Sequence, residues 1–217
     1  MKKLDIIYED KELLVVNKPT KKLTVATEKN NFNTLYHEAR EYVKKQNPKN
    51  KIFIVHRLDE QTSGIVLFAK NEKLKYLLQK NWQNYYREYI AVVEGKLTGK
   101  GTIKSYLKES KTLQVYSTND SKFGKLAITN YESLKSNKNY SIVKITIETG
   151  RKNQIRVHLS DLNHPIVGDK KYNAKTNFLN RLGLLANKLE IMHPITKKKL
   201  TFEAKLPKVM ANLKDFD

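Results

Sequence analysis

Cysteine is absent from the 217-residue chain, which excludes disulfides, thiolate nucleophiles and thiolate-bound metal. Long apolar runs are absent too: stretches such as Ile65 to Ala69 are strand-sized, far short of the ~20 residues that span a bilayer as a helix. The eight glycines form neither Gly-Lys-Ser/Thr nor Gly-x-Gly-x-x-Gly, so no phosphate-cradling loop is expected. Five histidines, His37, His56, His158, His164 and His193, show no close pair of the kind that binds zinc, and no metal site is expected. The start, Met1-Lys2-Lys3, is basic like an export signal. Asp5, Glu9, Asp10 and Glu12 interrupt any apolar core behind it, so the expected location is the cytoplasm. Arginine is scarce, six of 42 basic residues: Arg40, Arg57, Arg87, Arg151, Arg156 and Arg181. In a chain that otherwise uses Lys for positive charge, these mark positions suited to a planar, bidentate guanidinium.

What the chain has in excess is positive charge. Lys and Arg outnumber Asp and Glu by 42 to 22, a formal charge of +20, which favours polyanionic partners, nucleic acid first. No amphipathic segment with a basic face suggests a membrane-surface anchor. With 39% hydrophobic and 29% charged residues the chain is too apolar to remain disordered. Its length suits one catalytic domain over residues 1–217, in one unit or two lobes, and a monomer is expected. No repeat, low-complexity linker or composition shift marks a boundary.

Periodicity predicts a mixed α+β protein. Ile6–Tyr8 and Leu13–Val16 read as a hairpin ending at Lys18-Pro19. Leu35, Ala39, Tyr42 and Val43 recur at helical spacing after Thr34, and Asn47-Pro48 closes that helix. A second helix follows the N-cap candidate Asn71, with Leu74, Leu77, Leu78 and Trp82 on one stripe. Strand-like runs at Ile52–Val55 and Ile65–Phe68 bracket the polar segment His56–Gly64. Further strands are expected at Tyr89–Val93, Thr102–Leu107, Leu113–Tyr116, Leu126–Tyr131 and Ser141–Glu148, the last with Val143, Ile145 and Ile147 alternating. A helix from about Lys152 to Asp161 places Ile155, Leu159 and Leu162 inward and Gln154 and His158 on another face. Strands near Leu184–Met192 and Lys199–Ala204 and a short segment after Pro207 complete the chain.

The segment His56-Arg57-Leu58-Asp59-Glu60-Gln61-Thr62-Ser63-Gly64 sets a carboxylate beside a guanidinium and two hydroxyls on a loop between strands, where catalytic residues concentrate. Alone, an aspartate at a strand end is an ordinary turn or cap residue, and a strand tyrosine such as Tyr89 is ordinary core. The wording of the segment, followed by the apolar strand Ile65-Val66-Leu67-Phe68-Ala69, resembles the signature of the RluA-type pseudouridine synthases. The resemblance continues through Val15-Val16-Asn17-Lys18-Pro19, Tyr86–Gly95, Ala127-Ile128-Thr129, Thr149–His158, His164–Asp169 and His193-Pro194. It implies a largely antiparallel sheet flanked by helices with a central cleft, and an isomerase that converts uridine to pseudouridine in structured ribosomal or transfer RNA. By resemblance Asp59 is the catalytic carboxylate and Arg57 fills the space a flipped nucleotide leaves. Tyr89 is the active-site tyrosine, and Arg156 pairs with the aspartate. Three places differ from the family pattern: Asn153 stands for a His, Leu185 for a His, and Lys21-Lys22 for a Gly-containing turn.

That chemistry needs no redox partner or transferred group, and no cofactor is expected. It needs an ionised carboxylate, as nucleophile or base at the sugar, and an aromatic face for the base. Lys73, Lys75, Lys80 and Arg87 are candidates for contacts to the RNA backbone. Signature material from residue 10 onward leads us to expect no separate N-terminal RNA-binding module. Two other readings stand beside this one: a non-catalytic RNA-binding protein on the same fold, and a metal-dependent RNA hydrolase using Asp59 as a ligand.

Overall fold

The structure, a computed structural model, describes residues 4–26 and 33–211. The first residues of the basic start and the end of the final segment read above lie outside them. In chain order the elements are β1 (Ile6–Glu9), β2 (Leu13–Lys18), α1 (Leu35–Gln46), β3 (Phe53–Ile54), β4 (Ser63–Ala69), α2 (Glu72–Lys80) and β5 (Tyr86–Glu94). Then come β6 (Lys100–Glu109), β7 (Val115–Thr118), β8 (Lys125–Ser136), β9 (Tyr140–Ile147), α3 (Gln154–Asp161), β10 (Leu184–Met192), β11 (Lys199–Glu203) and α4 (Lys208–Ala211). The chain is α+β, as its periodicity predicts, and it forms two compact units: residues 1–86 with 186–205, and 87–185 with 206–217.

In the first unit β2 pairs antiparallel with β1 on one side and β4 on the other, β3 pairs with β4, and β10 pairs with β11. Strands β2 and β4 read as continuous apolar runs because both faces are covered: Leu13 through Val16 and Val66 through Ala69 have no exposure. Helix α1 starts where the Thr34 side chain accepts from the His37 amide and ends where Asn50 donates to the Val43 carbonyl. It presents Leu35, Ala39 and Val43 inward, and its Tyr36 ring meets Phe68 of β4 at 6.4 Å. Asn71 caps α2 by accepting from the Lys73 amide. Of the stripe expected on α2, Leu74 and Leu78 are buried, but Leu77 is 46% exposed, and Trp82 lies in a separate 3-10 turn.

Gly64, the second residue of β4, takes φ 115°, a conformation natural only to glycine. A β-carbon there would lie 2.2 Å from the Ala186 carbonyl oxygen. The signature glycine therefore lets two backbones of this unit approach. Gly64→Ala is expected to destabilise the protein by at least about 2 kcal/mol, from strain plus overpacking. Urea unfolding checks this, and an unchanged midpoint would contradict it.

The second unit is an antiparallel sheet in the order β5-β9-β8-β6-β7. Its main core gathers Ala91 and Val93 of β5, Val143 and Ile145 of β9, Ile155 and Leu159 of α3, and Leu182 and Leu184. One expectation needs correcting. The strand placed at Leu113–Tyr116 begins at Val115, because Leu113 takes φ 60° and is 63% exposed. In helix α3 the second face is buried as well: Gln154, Arg156 and His158 lie inside along with Ile155, Val157 and Leu159, and exposure begins only at the last turn, at Asp161.

Candidate active site

Asp59 and Arg57 lie on the loop between β3 and β4. Arg57 is exposed, Asp59 is half-buried and Leu58 between them is buried. The loop is held by the strand end and turn at residues 18–24, whose even-numbered residues each reach it. Lys18, fully buried, donates its ammonium to the carbonyls of Pro19, Lys22 and Glu60. Thr20 donates to the Gln61 carbonyl, and the Lys22 amide to that of Glu60. The Thr24 hydroxyl donates to the Leu58 carbonyl at 2.9 Å and accepts from the Leu58 amide at 3.2 Å. A buried ammonium is tolerable only when its donors are met, and here each of the three has a carbonyl. The Thr62 amide closes the turn onto the Asp59 carbonyl. Asp59 is thus flanked on both sides by backbone fixed to another segment, the rigid support that catalytic geometry requires.

His56 anchors the start of the same loop. Its Nε2 accepts from the Leu67 amide at 3.0 Å, and its ring stacks on Trp82 at 4.2 Å. These two contacts fix His56 between β4 and the turn after α2.

Tyr89 and Arg156 belong to the second unit. Tyr89 on β5 is half-buried and packs against the cluster that contains Ile155 and Leu159, so β5 and α3 share one core. Arg156 makes a two-pronged pair with Asp169, Nε to Oδ2 and Nη2 to Oδ1, both 2.7 Å, the fork geometry that makes Arg–carboxylate pairs directional. Its Nη1 donates to Asn153 Oδ1 at 3.3 Å, and its guanidinium lies 5.0 Å from the Tyr172 ring centroid. The sequence marks Asp169 only as the end of the His164–Asp169 resemblance and assigns it no role. The fork and its own burial, 2% exposed, reveal one.

Helix α3 is tied to the sheet by a chain of polar groups. Gln154 accepts from the Thr149 hydroxyl and the Arg151 amide, and donates to the Ile128 carbonyl and the Thr129 hydroxyl. The Thr129 hydroxyl also meets His158 Nδ1 at 2.8 Å. His158 Nε2 meets Ser105, Ser105 meets Ser117, and Ser117 donates to Asp161. The donors line up in one direction if the neutral ring carries its proton on Nε2. Protonating Nδ1 as well would leave the Thr129 hydroxyl accepting from both Gln154 and His158.

Burial, opposed by the Asp161 charge, lowers the His158 pKa. A lowered folded-state pKa means that the unfolded chain takes the proton first. The stabilising contribution is complete above the unfolded value of about 6.5 and is lost as pH falls below it. The carboxylates of Glu9 and Asp10, lowered by their hydrogen-bonding partners against a desolvation that raises them, titrate in a more acidic window. Tm is therefore expected to fall from about pH 7.5 to about pH 5.5, and His158→Gln to flatten that slope. An equal slope in the variant would contradict the assignment.

One basic candidate is displaced. Arg87, suggested for RNA contact, is 5% exposed and donates to the Ile147 and Glu148 carbonyls. It fastens β5 within its unit, which a buried, always charged fork does well. Among the described residues, no group of three or more His, Asp or Glu side chains is placed to hold a metal ion.

Residues 12–161 match the family described as RNA pseudouridylate synthase. The chain belongs to that family. An RNA pseudouridine synthase of Bacillus subtilis, YhcT, itself uncharacterised, is 37% identical over 97% of this chain and 71% of its own length. The tRNA pseudouridine synthase C of Haemophilus ducreyi is 33% identical over 94% of this chain and 91% of its own. Among solved structures, human RNA pseudouridylate synthase domain containing 4 shares the fold, with a TM-score of 0.79 and 22% identity over 95% of this chain and 90% of the human one.

The pseudouridine synthase is an isomerase. Two of its three departures from the family pattern have local accommodations. Asn153 takes φ 54° at the start of α3, a left-handed conformation that Asn adopts more readily than most residues. It donates to the Tyr172 hydroxyl while accepting from Arg156. Lys21, in place of a Gly-containing turn, also takes a left-handed φ, 58°, at a cost of about 1–2 kcal/mol. Its neighbour Lys22 offsets part of this by pairing with Glu38 at 2.7 Å. Leu185 is simply buried.

Proposed function

We propose that this pseudouridine synthase isomerises particular uridines in structured ribosomal or transfer RNA, with Asp59 as its catalytic carboxylate and Arg57, Tyr89 and Arg156 as substrate-binding residues. The observation that carries the assignment of Asp59 is its loop, fixed by hydrogen bonds to the backbone of Leu58, Glu60 and Gln61 on either side of it. The reaction breaks the bond between ribose C1′ and uracil N1, turns the base and joins C1′ to C5. The C5 hydrogen leaves as a proton and N1 gains one, so atoms and electrons balance without a cofactor. Asp59 acts on the sugar as an anion, nucleophile or base. Tyr89 offers a ring face for the uracil, and Arg57 occupies the space left by the extruded nucleotide. The formal charge of +20 brings the polyanion to the surface. The two compact units serve as one catalytic domain, acting as a monomer in the cytoplasm. Among the described residues no helix is long and apolar enough to cross a membrane.

The test is release of tritium from RNA labelled at uridine C5, with the RNA sized in parallel. The isomerase releases tritium, leaves chain length unchanged and works in the presence of a chelator. Shortened RNA that depends on metal would replace this reading by a hydrolase. Binding without tritium release from any ribosomal or transfer RNA would replace it by a binding protein.

A further inference from the structure

In the first unit a pocket of about 490 Å³ opens between the end of α2, the turn after it and the ends of β10 and β11. Tyr85, Tyr86 and Met192 supply apolar and aromatic wall, Asn81 and Asn84 supply amides, and Lys197 supplies charge. Tyr86 and Met192 are 39% and 47% exposed. The single acid of the lining, Glu190, is engaged by Lys199 at 2.6 Å and Lys188 at 3.2 Å. His193 holds the lip: its Nδ1 accepts from the amides of Ile195 and Thr196, so a neutral ring turns its N–H towards Asp10, 3.3 Å away. None of these residues has a part in the reaction as proposed.

We infer that this pocket binds an unpaired nucleobase of the substrate RNA, outside the nucleotide that is isomerised. The inference rests on the RNA reading above. A volume of this size suits a small planar ligand. Aromatic faces beside amides match the two things a splayed base presents, a π-face and a hydrogen-bonding edge. Lysines at the rim suit the phosphates on either side of it. The amides are exposed, Asn81 donating to the Leu77 carbonyl with its oxygen left to accept, and an apolar peptide helix would want a groove without such amides and charge. Position points the same way. Tyr85 meets Trp82 edge-on at 5.9 Å, and Trp82 stacks on His56, three residues before Asp59. The pocket wall therefore packs, through two ring contacts, on the loop that carries the catalytic carboxylate, within reach of the same RNA molecule.

Two substitutions and one crosslink test this. Tyr86→Ala removes a stacking face. Asn84→Phe fills the pocket while keeping the backbone bond from the Asn84 amide to the Asn81 carbonyl. Each is expected to raise KM for the target RNA by roughly fivefold to a hundredfold, the range for one lost base stack, with the loss carried by KM more than by kcat. Wild-type protein irradiated with RNA containing 4-thiouridine is expected to yield a nucleotide adduct on the peptide holding Tyr85 and Tyr86, or on that holding Met192. KM within twofold of wild type in both variants, with no adduct on either peptide, would overturn the inference and leave the pocket to a non-RNA occupant. If wild-type protein binds RNA but releases no tritium, the isomerase reading fails and the crosslink alone decides the pocket.

Discussion

Asp59→Asn is expected to lower pseudouridine formation by at least about a thousandfold, towards the upper end of what one acid–base group contributes. RNA affinity should stay within about twofold, because removing one carboxylate takes the formal charge only from +20 to +21 in an interaction dominated by phosphate contacts. The loop around Asp59 is held through its backbone. Thr24 grips the amide and carbonyl of Leu58, Lys18 and Thr20 grip the carbonyls of Glu60 and Gln61, and the Thr62 amide bonds to the carbonyl of residue 59 itself. An amide side chain disturbs none of these, so the loss would report on the carboxylate and not on folding. Single-turnover tritium release and filter binding over a salt series separate the two. Turnover above a tenth of wild type would remove Asp59 from the centre of the mechanism.

Arg156→Ala should damage both stability and turnover. Asp169 has a side chain 1% exposed, and the fork from Arg156 meets both of its oxygens. Removing the cation leaves a buried carboxylate without its partner, which costs about 3–5 kcal/mol, or roughly 6–20 °C in Tm for a chain of this size. Arg156→Lys keeps the charge and loses the parallel geometry, so its Tm should fall between the two. Adding Asp169→Leu to Arg156→Ala should restore much of the stability, because the orphaned charge is gone, and should restore none of the activity. A Tm for Arg156→Ala within 2 °C of wild type would show that the fork is weakly coupled to the fold.

The parts of this architecture legible in the sequence are those written in side-chain periodicity and caps. Thr34 and Asn71 begin helices as their chemistry suggests, and Val143 and Ile145 alternate into the core from β9. The polar stretch from His56 opens a loop between strands, and its wording led to the family. The parts that were not legible depend on partners distant in sequence or on backbone. Lys18 is marked in the sequence through the Val15–Pro19 resemblance, but its full burial is not, and becomes intelligible from the carbonyls of Pro19, Lys22 and Glu60 that accept from its ammonium. Spacing sets Gln154 and His158 on a different face of helix α3 from Ile155 and Leu159, but does not say that this face and Arg156 are buried. They are, satisfied by Thr129, Ser105 and Asp169 from other segments, the arrangement that buried polar groups require. Leu113 reads as strand, yet its left-handed φ delays β7 to Val115. Alternation at Lys18, Thr20, Lys22 and Thr24 is the pattern that accompanies their contacts with the Asp59 loop. A period of two in a short polar stretch equally suits a solvated edge.

The most direct test of the central claim is chemical mapping of pseudouridine in total RNA from cells lacking the gene, after incubation with the wild-type protein or with Asp59→Asn. The account predicts new sites in ribosomal or transfer RNA with wild type and none with the variant. The same sites with both proteins would show that Asp59 is not the catalytic group. No new site with either, while both still bind RNA, would contradict the isomerase assignment itself.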